Sequence, residues 1–363
     1  MAGVVDSDTH VSESQWMWEM MDKEMYHRRP VLVSVPEDTL YGKRNAFWLI
    51  DGNIFPKPAG KGSFRLITPS ASKHESSRGD IHIACRELSD PKARLADMDK
   101  LGVESQVIYP TLFLIYLTDD VGLEIALCRA YNRYLAEACS NSGKRMRWVV
   151  VPPLRSIDES IKEIRWAKEH GAVGVFFRGM EGALTLDNPY FFPIYEQAMR
   201  LDLPICIHTG AGNPMLISLV NIERNHTFLH SRILPLIAFR DLVANKIPEL
   251  FPTLRFGFIE ASAGWIPYLI HVLRRLFRDR WNYLSSVDLF RDYRLYVACE
   301  ADEDVSYLAK YTGEDNIIIG SDYGHQDPSE ERQLVATMRA REDIPSHITE
   351  RIMCENPRKF YPL

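Results

Sequence analysis

No CxxC pair, no run of basic residues, no glycine-rich phosphate loop and no apolar stretch of membrane-spanning length occurs in this sequence. Each absence removes a class of protein. The 6 cysteines (Cys85, Cys128, Cys139, Cys206, Cys299 and Cys354) are scattered over 363 residues. A chain of this length needs no disulfide framework, so they read as reduced thiols in a cytoplasmic protein. Lys plus Arg is 43 against 49 for Asp plus Glu, a formal charge of -6. A weakly acidic chain without a basic stripe has no electrostatic footprint for nucleic acid or an anionic membrane. The opening MAGVVDSDTH carries charge where a signal peptide needs an apolar run. Internal repeats and low-complexity tracts are also missing.

What is present is ordinary globular material, 46% hydrophobic and 25% charged, enough to bury a large core. Short apolar runs rich in Val, Ile and Phe recur along the chain: GVVDSDTH, VESQVIYP, MRWVVVPP, AVGVFFRG, LPICIHTG, LRFGFIEAS, RLYVACEA and NIIIGSDYGH. They lack strict alternation, as strands covered on both faces do. Amphipathic stretches lie between them. DPKARLADMDKLG has an Asp cap and a closing Gly, and SIDESIKEIRWAKEHG has a Ser cap, acids in its first turn and a stop at Gly171. Strand followed by helix, repeated in this way, predicts a (β/α)8 TIM barrel in one domain spanning 1–363. The rival is a doubly wound open sheet, which would more often carry a Gly-rich loop after its first strand. Two connections are long: 11–89 after the first strand and 211–253 after the fifth. Such insertions form lids and substrate pockets, or family-specific decoration and subunit interfaces.

Strand ends converge at a barrel mouth, where active sites are built. The first strand ends in Asp8 and His10, two apart and so facing one side. The fifth ends in His208, the sixth in Glu260, and the eighth in Asp322 with His325 just beyond. Each is commonplace alone, as a helix cap or a hydrogen-bonded core histidine. Together they put so much charge at one mouth that a cation is expected.

These residues carry a resemblance. DSDTHVSE, ICIHTG, FPTLRFGFIEASAGWIPYLI, GSDYGHQDPSE and ENPRKFY, in this order, resemble the amidohydrolase superfamily over almost the whole chain. The likeness is to its amidohydrolase 2 branch, which holds aminocarboxymuconate semialdehyde decarboxylase, resorcylate-type decarboxylases and several hydrolases. The family's metal is held by an HxH pair, a strand-five His and a strand-eight Asp. The resemblance therefore implies Asp8, His10, His208 and Asp322 as ligands, with Asp8 standing where the first His usually is. Decarboxylases of the branch resemble one another in a strand-six His, where this chain has Glu260.

With Glu260 there are five potential ligands, which suit one ion with an extra acid beside it or a pair of ions; Zn, Fe and Mn all fit. The expected function is therefore a metal-dependent hydrolase. In it an activated water cleaves an ester, thioester, amide or lactone of a small organic acid derivative, with Asp322 moving the proton and His325 assisting or orienting the loop. The alternative is a metal-dependent, non-oxidative decarboxylase of an aromatic or dienoic acid. The third reading is a non-catalytic barrel that only binds. Arg178 is a candidate to hold a substrate carboxylate or to neutralise the acidic cluster. His230, with His226 four residues before it, is a candidate donor to a substrate carbonyl or a polar position on an amphipathic helix. Trp16, Trp18 and Trp265 line a pocket or join the core. Cys206 and Cys299 pack inside strands, and Glu300 orients a ligand. The expected partner is a small-molecule substrate, and the resemblance implies a homodimer.

Overall fold

Val, Ile and Phe pack well on pleated surfaces, and the apolar runs become eight parallel strands. These are β1 (Val4–Val11), β2 (Val103–Pro110), β3 (Met146–Val150), β4 (Ala172–Phe177), β5 (Ile205–His208), β6 (Phe256–Ile259), β7 (Leu295–Cys299) and β8 (Ile317–Ile319). The computed structural model describes residues 3–36, 38–39, 46–63, 81–210, 212–219, 227–277, 286–325 and 329–363, excluding the side chains of 227–231. The strands pair in chain order, β1 to β8. The last meets the first just beyond β8, where Asp322 N donates to Asp8 O (3.0 Å) and His10 N donates to Tyr323 O (2.7 Å). The result is a TIM barrel.

The helices form an outer layer: α1 (Pro91–Leu101), α2 (Val121–Ser140), α3 (Ile157–Glu169), α4 (Phe192–Arg200), α5 (Thr227–Ala244), α6 (Ile266–Leu276), α7 (Ser286–Tyr293), α8 (Val305–Thr312) and α9 (Leu334–Arg339). Local signals explain their starts and stops. The Asp90 side chain accepts from Lys92 N and Ala93 N at the start of α1, and Gly102 (φ 71°) ends it in the left-handed conformation. Asp120 caps α2 through Leu123 N. Ser156 sits at the head of α3, yet its side chain makes no capping bond. Asp158 and Glu159 in the first turn face the helix dipole there.

The stretch between β1 and α1 holds more structure than its composition suggested. It contains a helix, Gln15–Trp18, and a three-stranded antiparallel sheet of Val31–Ser34, Ala46–Ile50 and Asn53–Phe55. Trp18 and Trp48 are buried edge to face at 6.0 Å, so Trp18 is core, whereas Trp16 is 59% exposed. The stretch after β5 is helical over α5. All six cysteines are buried and none is in a disulfide, with Cys206 in β5 and Cys299 in β7. No helix among the described residues is long and apolar enough to cross a membrane.

Candidate metal centre

The site begins with an irregularity in β1. Its register with β2 passes from Asp6↔Gln106 to Thr9↔Ile108, so β1 carries one extra residue. Such a bulge re-aims side chains. Asp6 turns to the last loop, accepting from Ser321 N (2.8 Å) and Ser321 Oγ (2.6 Å). Burial pushes its carboxyl up to about 6 against the pull of those bonds. Asp8 and His10 point into the mouth instead.

His10 Nδ1 donates to Pro110 O (2.9 Å), which fixes the ring and turns Nε2 inward. Nε2 is buried and makes no hydrogen bond among the described residues. It faces Asp8 Oδ1 at 3.4 Å, Glu260 Oε2 at 3.5 Å and Asp322 Oδ1 at 3.3 Å. His208 repeats the design. Its Nδ1 donates to Thr209 O (3.1 Å), and its Nε2 lies 3.4 Å from Asp8 Oδ1 and 3.2 Å from Glu260 Oε2. In two sets, Asp8–His10–His208–Glu260 and His10–Glu260–Asp322–His325, one ligand atom from each residue lies within 4.8 Å of the others. Two imidazole nitrogens among carboxylates, each ring oriented by a backbone carbonyl, are a donor set for a divalent metal.

The electrostatics point the same way. Burial alone would depress His10, but Asp8 and Glu260 outweigh it and push the imidazole up to about 10. Burial would raise Asp8, yet His208 and His10 hold its carboxyl far below the usual range. The cluster attracts a cation, whether proton or metal.

Backbone strain marks the same place. Glu260 (φ 50°) and Asp322 (φ 53°) adopt the left-handed conformation, which non-glycine residues disfavour and which persists where the surroundings impose it. Close approach at the β1–β8 seam needs Gly320, where an added Cβ would lie 2.3 Å from Asp8 Cβ.

His325 extends the cluster outward. Its ring stacks on His10 at 3.6 Å between centroids, and its Nδ1 lies 2.9 Å from Asp322 Oδ1. Its Nε2 is 2.9 Å from Thr111 Oγ1. The Thr111 hydroxyl donates to Val11 O (2.8 Å), so toward His325 it accepts, and Nε2 carries a hydrogen. Asp322 and His325 thus form an imidazole–carboxylate pair beside the candidate metal ligands. Thr111 is itself held by Glu13, whose oxygens accept from Thr111 N (3.0 Å) and Leu112 N (2.9 Å). Neither Thr111 nor Glu13 was singled out in the sequence. Thr111 directly follows β2, so the strand-end rule covers it. Nothing in the spacing shows the Glu13 clamp.

The other candidates fall elsewhere. Arg178 is buried and committed to Glu181, through Nε (3.0 Å) and Nη2 (2.5 Å). Its Nη1 donates to Ile115 O (3.0 Å), and its guanidinium stacks 4.0 Å over Tyr116. Its charge is thus met locally rather than by the acidic cluster. His226 lies outside the described residues, as does the side chain of His230 in α5. Trp265 packs on Phe239 and Phe258. Glu300 is 2.5 Å from Arg232 Nη1, a guanidinium of α5 that the sequence did not flag.

A family model described as Amidohydrolase matches residues 5–363. A 2-amino-3-carboxymuconate-6-semialdehyde decarboxylase of Dictyostelium discoideum is 22% identical over 249 residues, 64% of this chain and 66% of that protein. The match thus spans just under two thirds of that relative's length. A 2-keto-4-carboxy-3-hexenedioate hydratase of Sphingobium sp. (strain NBRC 103272 / SYK-6) is 24% identical over 275 residues, 72% of this chain and 76% of its own. Among solved structures, a 5-carboxyvanillate decarboxylase from Novosphingobium aromaticivorans DSM 12444, complexed with manganese and 4-hydroxy-3-methoxy-5-nitrobenzoic acid, superposes with a TM-score of 0.71 at 17% identity. That likeness covers 100% of this chain and 96% of that one.

Proposed function

Because the chain belongs to the amidohydrolase 2 family, we propose that it is a metal-dependent, non-oxidative decarboxylase of an aromatic or dienoic acid. One observation carries the reading: at the edge of the ligand cluster His325 Nδ1 lies 2.9 Å from Asp322 Oδ1, a pair that can hold and deliver one proton. Losing carbon dioxide leaves an electron pair on carbon, and that carbon needs a proton. An acid pair suits that step, whereas hydroxide attack on an acyl group calls for a free base first. Decarboxylases among the relatives support the same choice over the hydrolysis expected from the sequence.

His10 and His208 through Nε2, with Asp8, Asp322 and Glu260, would hold the ion. When bound, it supplies a Lewis acid for the substrate carboxylate and a neighbouring oxygen. Asp322 and His325 pass their proton to the carbon bearing the carboxylate. The carbon–carbon bond breaks, carbon dioxide leaves, and nothing is oxidised. Thr111 keeps the His325 Nε2 hydrogen engaged, so the transferable proton is the one on the Asp322 side. The substrate is a small molecule. The family resemblance and the reduced thiols favour a homodimer working in the cytoplasm.

Glu260 supports a second reading. It stands where decarboxylases of the branch resemble one another in having a His, and a carboxylate there could take a proton from water, as hydrolysis requires. Carbon dioxide release from carboxylated phenols and dienoic acids by manganese-loaded protein separates the two. In heavy water the first reading expects one deuterium at the carbon that lost the carboxylate. A free acid and a leaving group released from esters or lactones, with no carbon dioxide from any acid, would establish hydrolysis instead.

A further inference from the structure

The turn after β6 is the most strained part of the mouth. Glu260 (φ 50°) and Ser262 (φ 54°) are both left-handed, with one residue between them. Such a turn survives only where its surroundings hold it. Glu303 accepts from Ala263 N (2.9 Å) and Gly264 N (2.8 Å). Trp265 Nε1 donates to Ala261 O (3.1 Å) and Ser262 O (2.9 Å). These bonds hold the backbone downstream of Glu260.

The Ser262 side chain has a different partner. Arg232, reaching in from α5, donates to Ser262 Oγ through Nη1. The same nitrogen lies 2.5 Å from Glu300 Oε1, and Nη2 donates to Ser329 Oγ at 2.5 Å. Ser262 Oγ in turn donates to Glu300 Oε1 (3.2 Å). One guanidinium, with 8% of its side chain exposed, therefore joins the segments following β5, β6, β7 and β8. Its planar fork suits several acceptors at once, and Glu300 meets its charge.

We propose that Arg232 is a positioning residue for the metal centre: by fixing Ser262 it sets the backbone of Glu260 and so aims the Glu260 carboxylate at the Nε2 atoms of His10 and His208. This rests on the metal-site reading and not on which reaction the site performs. Arg232 belongs to neither candidate ligand set, so its effect on the ion passes through Glu260.

The test uses metal-free full-length protein titrated with Mn(II), and with Co(II) followed by its visible spectrum. Arg232→Gln and Ser262→Ala are expected to weaken Mn(II) binding about tenfold, the low end for partners that orient a ligand. Both should also change the Co(II) bands, which report ligand geometry. Arg232→Lys should recover part of the loss, since an ammonium still meets Glu300. Should Arg232→Gln fail to fold, Ser262→Ala decides alone. Wild-type Mn(II) affinity and an unaltered Co(II) spectrum in Ser262→Ala overturn the proposal. A wild-type protein that takes up neither ion overturns it together with the metal centre. Absence of decarboxylation, with the binding effects intact, overturns only the reaction.

Discussion

Asp322 has two duties: one carboxylate faces His10 Nε2 at 3.3 Å and His325 Nδ1 at 2.9 Å. Asp322→Asn keeps the size but loses the acid, and turnover should fall by about a thousandfold or more, the scale of a lost acid–base group. Circular dichroism should show an unchanged fold, and retained turnover would remove Asp322 from its role. Glu13 offers a test that needs no bound metal. Burial pushes its carboxyl up to about 7 from an ordinary 4.5, against the pull of the Thr111 and Leu112 amides. The native state therefore keeps a proton that the unfolded chain has already released. Stability from this group is fully present below about pH 4.5 and lost as pH rises through about 7, a change on the order of 3 kcal/mol. Wild type should accordingly lose melting temperature relative to Glu13→Gln between those values. A difference that stays flat with pH would refute the assignment.

At the scale of elements, the candidate ligands stand where they do because strands end together. That much was legible: apolar runs with polar ends revealed β1 to β8, and with them Asp8, His10, His208, Glu260, Asp322 and His325. Pairwise contacts across the mouth were not legible. The extra residue in β1, the Glu13 clamp, the Arg178–Glu181 pair and the reach of Arg232 depend on which side chains meet after folding, and local periodicity does not encode that. The tripeptide spacing of Asp8 and His10 suggested a plain strand face, whereas a bulge beside Asp8 helps to aim them. Gly320 tests how tightly β8 must approach. Gly320→Ala would drive a Cβ to 2.3 Å from Asp8 Cβ, overpacking that should cost about 1–3 kcal/mol. It should also weaken metal uptake, as measured by Mn(II) titration. Unaltered melting and uptake would show that the seam has slack.

For the molecule as a whole, the number of ions follows from one ring. His10 has given Nδ1 to Pro110 O, leaving a single nitrogen for both candidate sets. The sets share His10 and Glu260, so elemental analysis should find one ion per chain; two would require the sets to act separately. Binding should also stabilise the fold, by about 3 kcal/mol when free metal is a hundred times the dissociation constant. Calorimetric scans with and without Mn(II) would reveal an unchanged melting point if the ion sat elsewhere.

The seam between β1 and β8 has a consequence for biosynthesis. Asp6 and Ser321, bonded across it, are 315 residues apart along the chain. Asp8 and His10 therefore leave the ribosome well before Asp322 does. The candidate ligand set is thus complete only once the segment after β8 has been made. Metal uptake would then report that the circle of strands has been fastened.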